Sequence, residues 1–185
     1  LFRSSLGISV SQAGDINGDG FDDIIIGDPA RGNGYYTVRN DPGQSYVVFG
    51  KAEGFDARVN LSQLNGTNGF TIKGIEPNSS LGLSVSAAGD VNGDGFDDII
   101  VSAPNATSNL ESNAGQSYVI FGKATGFGAN FDLFDINGRN GFVINGISAG
   151  DLSGTSVSTA GDLDGDGLDD IIVGAKYVES NGKEY

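Results

Sequence analysis

The 185-residue sequence contains no cysteine, histidine, methionine or tryptophan. Without thiolates or imidazoles there is no Cys/His zinc site, no disulfide framework, and neither a histidine base nor a cysteine nucleophile. Oxygen is the ligand type left for a metal. Basic residues are scarce, 10 Lys and Arg against 24 Asp and Glu, and the net charge of -14 repels phosphate backbones, which excludes nucleic acid as a partner. No apolar stretch approaches the ~18 residues of a membrane span, so membrane insertion is not expected. Four prolines and no Gly-x-y period exclude a collagen-like chain. Neither a signal peptide nor an initiator Met is visible, and the expectation is a piece cut from a longer precursor.

What is abundant is glycine and aspartate. The 31 glycines predict many tight turns between short strands. Of the acids, 19 are Asp and 5 are Glu, a skew that places carboxylate oxygens close to the backbone in turns.

The sequence repeats itself. LGISVSQAGDINGDGFDDIIIGDP (6–29) and LGLSVSAAGDVNGDGFDDIIVSAP (81–104) agree at 18 of 24 positions, and SGTSVSTAGDLDGDGLDDIIVGAK (153–176) agrees with the second copy at 16 of 24. A second block, GQSYVVFGKAEGF (43–55), returns as GQSYVIFGKATGF (115–127), and a third, NGFTIKGI (68–75), as NGFVINGI (140–147). The expected units are 6–80, 81–152 and an incomplete 153–185. Their lengths differ only between the first and second blocks, so one connection varies while the rest is fixed.

Each unit predicts four strands. The first lies near Gly7–Ser11. The second carries the unbroken run Ile24, Ile25 and Ile26 after Asp23, which implies burial on both faces. The third is Ser45–Phe49, and the fourth, Phe70–Ile75, alternates as an outer strand with one wet face. Leu61–Leu64 and Leu133–Ile136 predict single helical turns. Four strands per ~70 residues, buried inside and wet outside, predict an all-β fold of β-propeller blades, and two and a half blades cannot close a ring. A ten-strand β-sandwich is the alternative, and the long period argues against it.

The chemistry lies in three nine-residue loops, DINGDGFDD (15–23), DVNGDGFDD (90–98) and DLDGDGLDD (162–170). Each has oxygen side chains at positions 1, 3, 5 and 9 and glycine at position 6, the pattern of a tight loop that surrounds a hard Ca²⁺. The expected ligands are Asp15, Asn17, Asp19 and Asp23; Asp90, Asn92, Asp94 and Asp98; and Asp162, Asp164, Asp166 and Asp170. Position 7 adds its backbone carbonyl, from Phe21, Phe96 or Leu168, with the side chain packing inward. Three Ca²⁺ ions are expected. An EF-hand is excluded, because its position-12 Glu is here Ile26, Val101 or Val173. Asp22, Asp97 and Asp169, at position 8, are expected to face solvent.

The order Leu6-Gly7, Asp15-x-Asn17-Gly-Asp19-Gly-x-x-Asp23, Gly27-Asp28-Pro29 resembles an FG-GAP repeat, the unit of the integrin α-subunit propeller and of many bacterial surface proteins. The resemblance implies a seven-bladed propeller with calcium loops on its lower face and an extracellular or cell-surface setting, where calcium keeps weak sites filled. It implies a non-enzymatic adhesion or protein-interaction scaffold. A calcium-dependent lectin with Tyr46 and Tyr118 as stacking groups, and a propeller accompanying a secreted hydrolase, are the alternatives. No G-x-S-x-G elbow supports catalysis. A protein or glycan ligand is expected at the variable loops 28–42 and 103–114, with Arg31, Tyr35, Tyr36 and Arg39 as an aromatic and basic cluster. The remaining blades of a longer chain, or self-association, are expected to cover the outer units.

Overall fold

The computed structural model describes residues 5–29, 40–55 and 57–177. Among them are eleven strands: β1 Val10–Gly14, β2 Asp23–Asp28, β3 Gln44–Val48, β4 Gly69–Lys73, β5 Val85–Gly89, β6 Asp98–Ala103, β7 Gln116–Ile120, β8 Asn130–Asp132, β9 Gly141–Asn145, β10 Ser153–Gly161 and β11 Asp170–Ala175. Single 3₁₀ turns at Leu61–Gln63 and Leu133–Asp135 sit where the sequence predicts them, opened by the Asn60 and Asp132 side chains accepting from the backbone two residues on. The first strand lies three residues later than expected, because Gly7 and Ile8 form a turn whose N–H groups bond Gly27 and Ser5.

The strands form the antiparallel meanders β1-β2-β3-β4 and β5-β6-β7-β9 and the pair β10-β11. These are propeller blades. Equivalent registers recur: Ile24 faces Val48 as Ile99 faces Ile120, and Tyr46 faces Thr71 as Tyr118 faces Val143. The slip between Gln12 and Gly14 on β1 returns between Ala87 and Gly89 and between Thr159 and Gly161. It bends each first strand into its Asp-rich loop.

Blades stack face to face. The face of β2 that carries Ile25 packs in one core with Ile99 and Val101 of β6, while Ile100 packs in a second core with Ile171 and Val173 of β11. β6 is therefore buried at every position, as its unbroken apolar run requires. On the outer blades the same run is buried on one side only, leaving Ile24 44% and Ile172 56% exposed. The inner strands are joined by serines: Ser9 Oγ accepts from Val85 N at 3.0 Å and Ser84 Oγ from Val157 N at 3.1 Å.

One expectation is corrected. β4 is not an outer edge, because β8 pairs with it in parallel, Thr71 to Asn130 and Lys73 to Asp132. β8 comes from the second repeat, so a strap between β7 and β9 reaches back across the repeat boundary at Leu81. Phe127, at the start of the strap, stacks on Phe70 and leans on Phe49, and Phe131 makes a tilted ring contact with Phe70. The corresponding residues of the first repeat, Phe55 and Val59, are about half exposed. Three alternating residues were too few to mark β8 as a strand in the sequence.

Candidate metal centre

Each Asp-rich loop is the β1–β2 hairpin connection of its blade, so the ladder on either side fixes where its ends lie. Within the loop the first carboxylate gathers backbone donors. Asp15 Oδ1 accepts from Asp19 N at 3.0 Å and Oδ2 from Gly20 N at 2.8 Å, while Asn17 Oδ1 accepts from Asp19 N and Asp19 Oδ1 from Phe21 N. The pattern repeats with Asp90, Asn92 and Asp94 and with Asp162, Asp164 and Asp166. Gly20, Gly95 and Gly167 carry φ of 86 to 91°, the left-handed turn that position 6 demands.

Positions 1, 3 and 5 therefore converge. In the third loop, carboxylate oxygens of Asp162, Asp164 and Asp166 all lie within 4.8 Å of one another on an exposed rim. Carboxylates this close repel unless a cation or protons intervene, and an all-oxygen set on a glycine-turned loop fits a hard divalent ion. The backbone bonds leave lone pairs free on these oxygens for a cation.

Position 9 is placed differently. Asp23 and Asp98 are buried, with Asp23 Oδ1 accepting from Gly50 N at 2.8 Å and Oδ2 from Ile16 N, and Asp98 bonded alike to Gly122 N and Val91 N. They fasten the loop to the turn after the third strand of the blade. Burial pushes each carboxyl up to about 7; the backbone donors oppose that shift, and the neighbouring charges of Asp19 and Asp15, or Asp94 and Asp90, add to it. A nearby cation acts in the opposite sense. Asp170 Oδ2 accepts from Leu163 N at 2.8 Å in the same manner.

Position 7, and position 8 of the second and third loops, depart from expectation, whereas Asp22 of the first loop is exposed as expected. Phe96 does not pack inward: a Cβ on Gly18 would overlap its ring, so it lies over the loop of the preceding blade, and Leu168 lies likewise over Gly93. Phe21 is 41% exposed. Asp97 and Asp169 do not face solvent. Asp97 Oδ2 accepts from Asp15 N at 2.8 Å and Asp169 Oδ2 from Asp90 N at 2.9 Å, each reaching the preceding loop. The signal was in the sequence: the Asp-Asp doublet recurs in all three repeats, where a tolerant surface position has no reason to stay fixed.

The other named residues lie elsewhere. Tyr118 is 5% exposed, with its hydroxyl donating to Gln116 Oε1 at 2.8 Å, so it offers no ring face for stacking. Tyr46 is half-buried. Of the loop 28–42, Arg31, Tyr35, Tyr36 and Arg39 lie outside the described residues. The loop 103–114 sits at the blade end opposite the Asp-rich loops and is tied down: Glu76 accepts from Thr107 N and Oγ1, and Ala106, Ser108 and Ala114 are buried. Leu110 stands 95% exposed at φ 72°.

Segments 6–48, 81–120 and 153–183 match the FG-GAP repeat, and together they span more than half of the chain. The chain belongs to the FG-GAP repeat family. Relatives of these FG-GAP repeats include integrin alpha pat-2 of Caenorhabditis elegans, 34% identical over 181 residues, covering 91% of this chain and 13% of the relative. Human integrin alpha-6 is 31% identical over 172 residues, 93% of this chain and 12% of its own length. Bovine phosphatidylinositol-glycan-specific phospholipase D is 28% identical over 180 residues, 97% of this chain and 19% of its own length. The FG-GAP chain thus spans less than a fifth of each of these relatives.

Proposed function

We propose that this FG-GAP chain is a calcium-binding, non-catalytic propeller module that serves as an adhesion or protein-interaction scaffold outside the cell. The observation that carries the reading is the convergence of Asp162, Asp164 and Asp166 at the rim of one loop, in a pattern built three times over. The ligands are side-chain oxygens of Asp15, Asn17, Asp19 and Asp23, of Asp90, Asn92, Asp94 and Asp98, and of Asp162, Asp164, Asp166 and Asp170, with the carbonyls of Phe21, Phe96 and Leu168. Three ions change the formal charge from -14 to -8 and relieve the crowding of carboxylates.

Bound calcium stiffens the hairpin that joins each inner strand to the next, and a rigid ring of hairpins presents the loops of the opposite end. Those are the variable loops 28–42 and 103–114, with the exposed Leu110 at the tip of the second. The integrin alpha relatives support the adhesion reading. The phospholipase D relatives support a propeller that accompanies a hydrolase in a longer protein, with the catalytic groups outside this stretch. The repeat units 6–80, 81–152 and 153–185 are the modules of the scaffold, and the open faces of the outer units receive further blades or a second copy.

Isothermal titration of calcium into chelator-treated protein tests the reading. Three equivalents with heat, abolished together by alanine at Asp15, Asp90 and Asp162, is the expected result. Absence of binding at millimolar calcium refutes it.

A further inference from the structure

We infer that Asp97 and Asp169 are positioning residues, each holding the calcium loop of the blade before its own, so that blade docking and ion binding are coupled along the stack. The inference rests on the calcium reading of the loops, and it concerns residues outside the set proposed as ligands.

The geometry is the same at both junctions. Asp97, at position 8 of the second loop, turns away from its own blade and accepts from the N–H of Asp15, the first residue of the first loop. Asp169 does the same to Asp90, and Asp169 N donates in return to Asp90 O at 3.1 Å. Asp15 and Asp90 are the residues whose carboxylates organise their loops by accepting from positions 5 and 6. The neighbouring blade therefore fixes the backbone from which the most connected side chain of each site projects.

The preceding strand is shaped for this contact. Gly14 and Gly89 have φ of 63 and 73°, and a Cβ on either would overlap the Asp97 or Asp169 carboxylate. Gly161, their counterpart at the third loop, has φ 67° and open space where a Cβ would stand. Position 7 completes the clamp, Phe96 covering Gly18 and Leu168 covering Gly93. Lys123 N, just after the third strand of the second blade, donates to Ile16 O of the first loop at 2.9 Å. The first and second loops are thus held by a following blade, whereas among the described residues the third is not.

A carboxylate that orients the backbone of a ligand lowers the cost of organising the site, and its loss weakens metal binding by about ten- to a hundredfold. By reciprocity, calcium in one loop strengthens the seat of the following blade. Coupling therefore runs along the stack without any ligand being shared.

Hydrogen-exchange mass spectrometry of the full chain across a calcium titration follows each loop by its own peptide. Asp97→Ala is expected to raise the calcium midpoint of the Asp15–Asp23 loop about tenfold or more and leave the Asp162–Asp170 loop unmoved. Asp169→Ala does the same to the Asp90–Asp98 loop. Asp97→Asn keeps a side-chain acceptor and stays within about threefold of the parent at the first loop. A shift confined to the mutated residue's own loop, an equal shift in all three, or an Asn variant as weak as the Ala variant overturns the inference. Should no loop respond to calcium in the parent, the calcium reading fails. The clamp is then read without metal, as faster exchange of residues 12–20 in Asp97→Ala with residues 158–166 unchanged.

Discussion

Phe127 lies flat on Phe70, ring centroids 4.3 Å apart and planes within 9°, although the two belong to different repeats. Offset or tilted aromatic contacts add to the burial of such large apolar groups, and here they fasten a strap of the second repeat over the outer strand of the first. Phe127→Ala is expected to lower the unfolding free energy by about 3 kcal/mol or more. Phe55→Ala, at the corresponding but half-exposed position, should change it by less than about 1 kcal/mol. Urea unfolding of both variants checks the contrast; equal losses would show that the strap contributes nothing to the stack.

Calcium should stabilise the fold by mass action. At a hundredfold excess over its Kd, each independent site contributes about 2.7 kcal/mol, so melting in chelator should fall well below melting in millimolar calcium. An unchanged midpoint would remove any structural role for the ion.

The third loop carries Asp164 where the others carry Asn17 and Asn92. The extra charge should strengthen this site against its own Asn variant, so Asp164→Asn should weaken it. Site-resolved titration showing equal affinity at the third loop in parent and variant counts against this contribution.

Tyr118 gives the alkaline pH dependence a sign. Burial, and next to it the charge of Glu76, push its hydroxyl up to about 12, above the ordinary value of 10. The neutral phenol is the form the fold prefers. Its contribution is complete below about pH 10 and is lost as pH rises through about 12, on the order of 2 kcal/mol in all. Unfolding free energies measured from pH 9 to 12 should fall over that interval, and the fall should be shallower in Tyr118→Phe.

The outer blades expose what the middle blade buries. Val10 is 66% and Ile24 44% exposed on the first, and Leu163 72% and Ile172 56% on the last. Faces of this kind associate, so sedimentation velocity should show concentration-dependent self-association of the 185-residue chain. Ile172→Asp should reduce it while leaving the circular dichroism spectrum unchanged. A stable monomer at all micromolar concentrations rules this out.

Much of the molecule is legible in the linear chain because it is local. Glycine at position 6 forces the left-handed turn of Gly20, Gly95 and Gly167, alternate Asp and Asn side chains then point to one centre, and the period of the blocks dictates a blade per repeat. The 3₁₀ turn at Leu61–Gln63 follows from Asn60 in the same way. None of these needs a distant partner.

What the sequence left undecided depends on which blade lies beside which. Ile25, Ile100 and Ile172 occupy one position of nearly identical segments, yet the first two are fully buried and the third is 56% exposed. Their chemistry is the same; only the neighbouring face differs. Asp97 and Asp22 likewise read alike within the repeat, but only Asp97 has a preceding loop in the described structure whose N–H it can accept. β8 became a strand because the edge of β4 offered unpaired backbone groups, which three residues of sequence do not encode. Side-chain spacing and turn chemistry are fixed by neighbours in the chain, whereas burial, edge pairing and the partner of a carboxylate are fixed by neighbours in space.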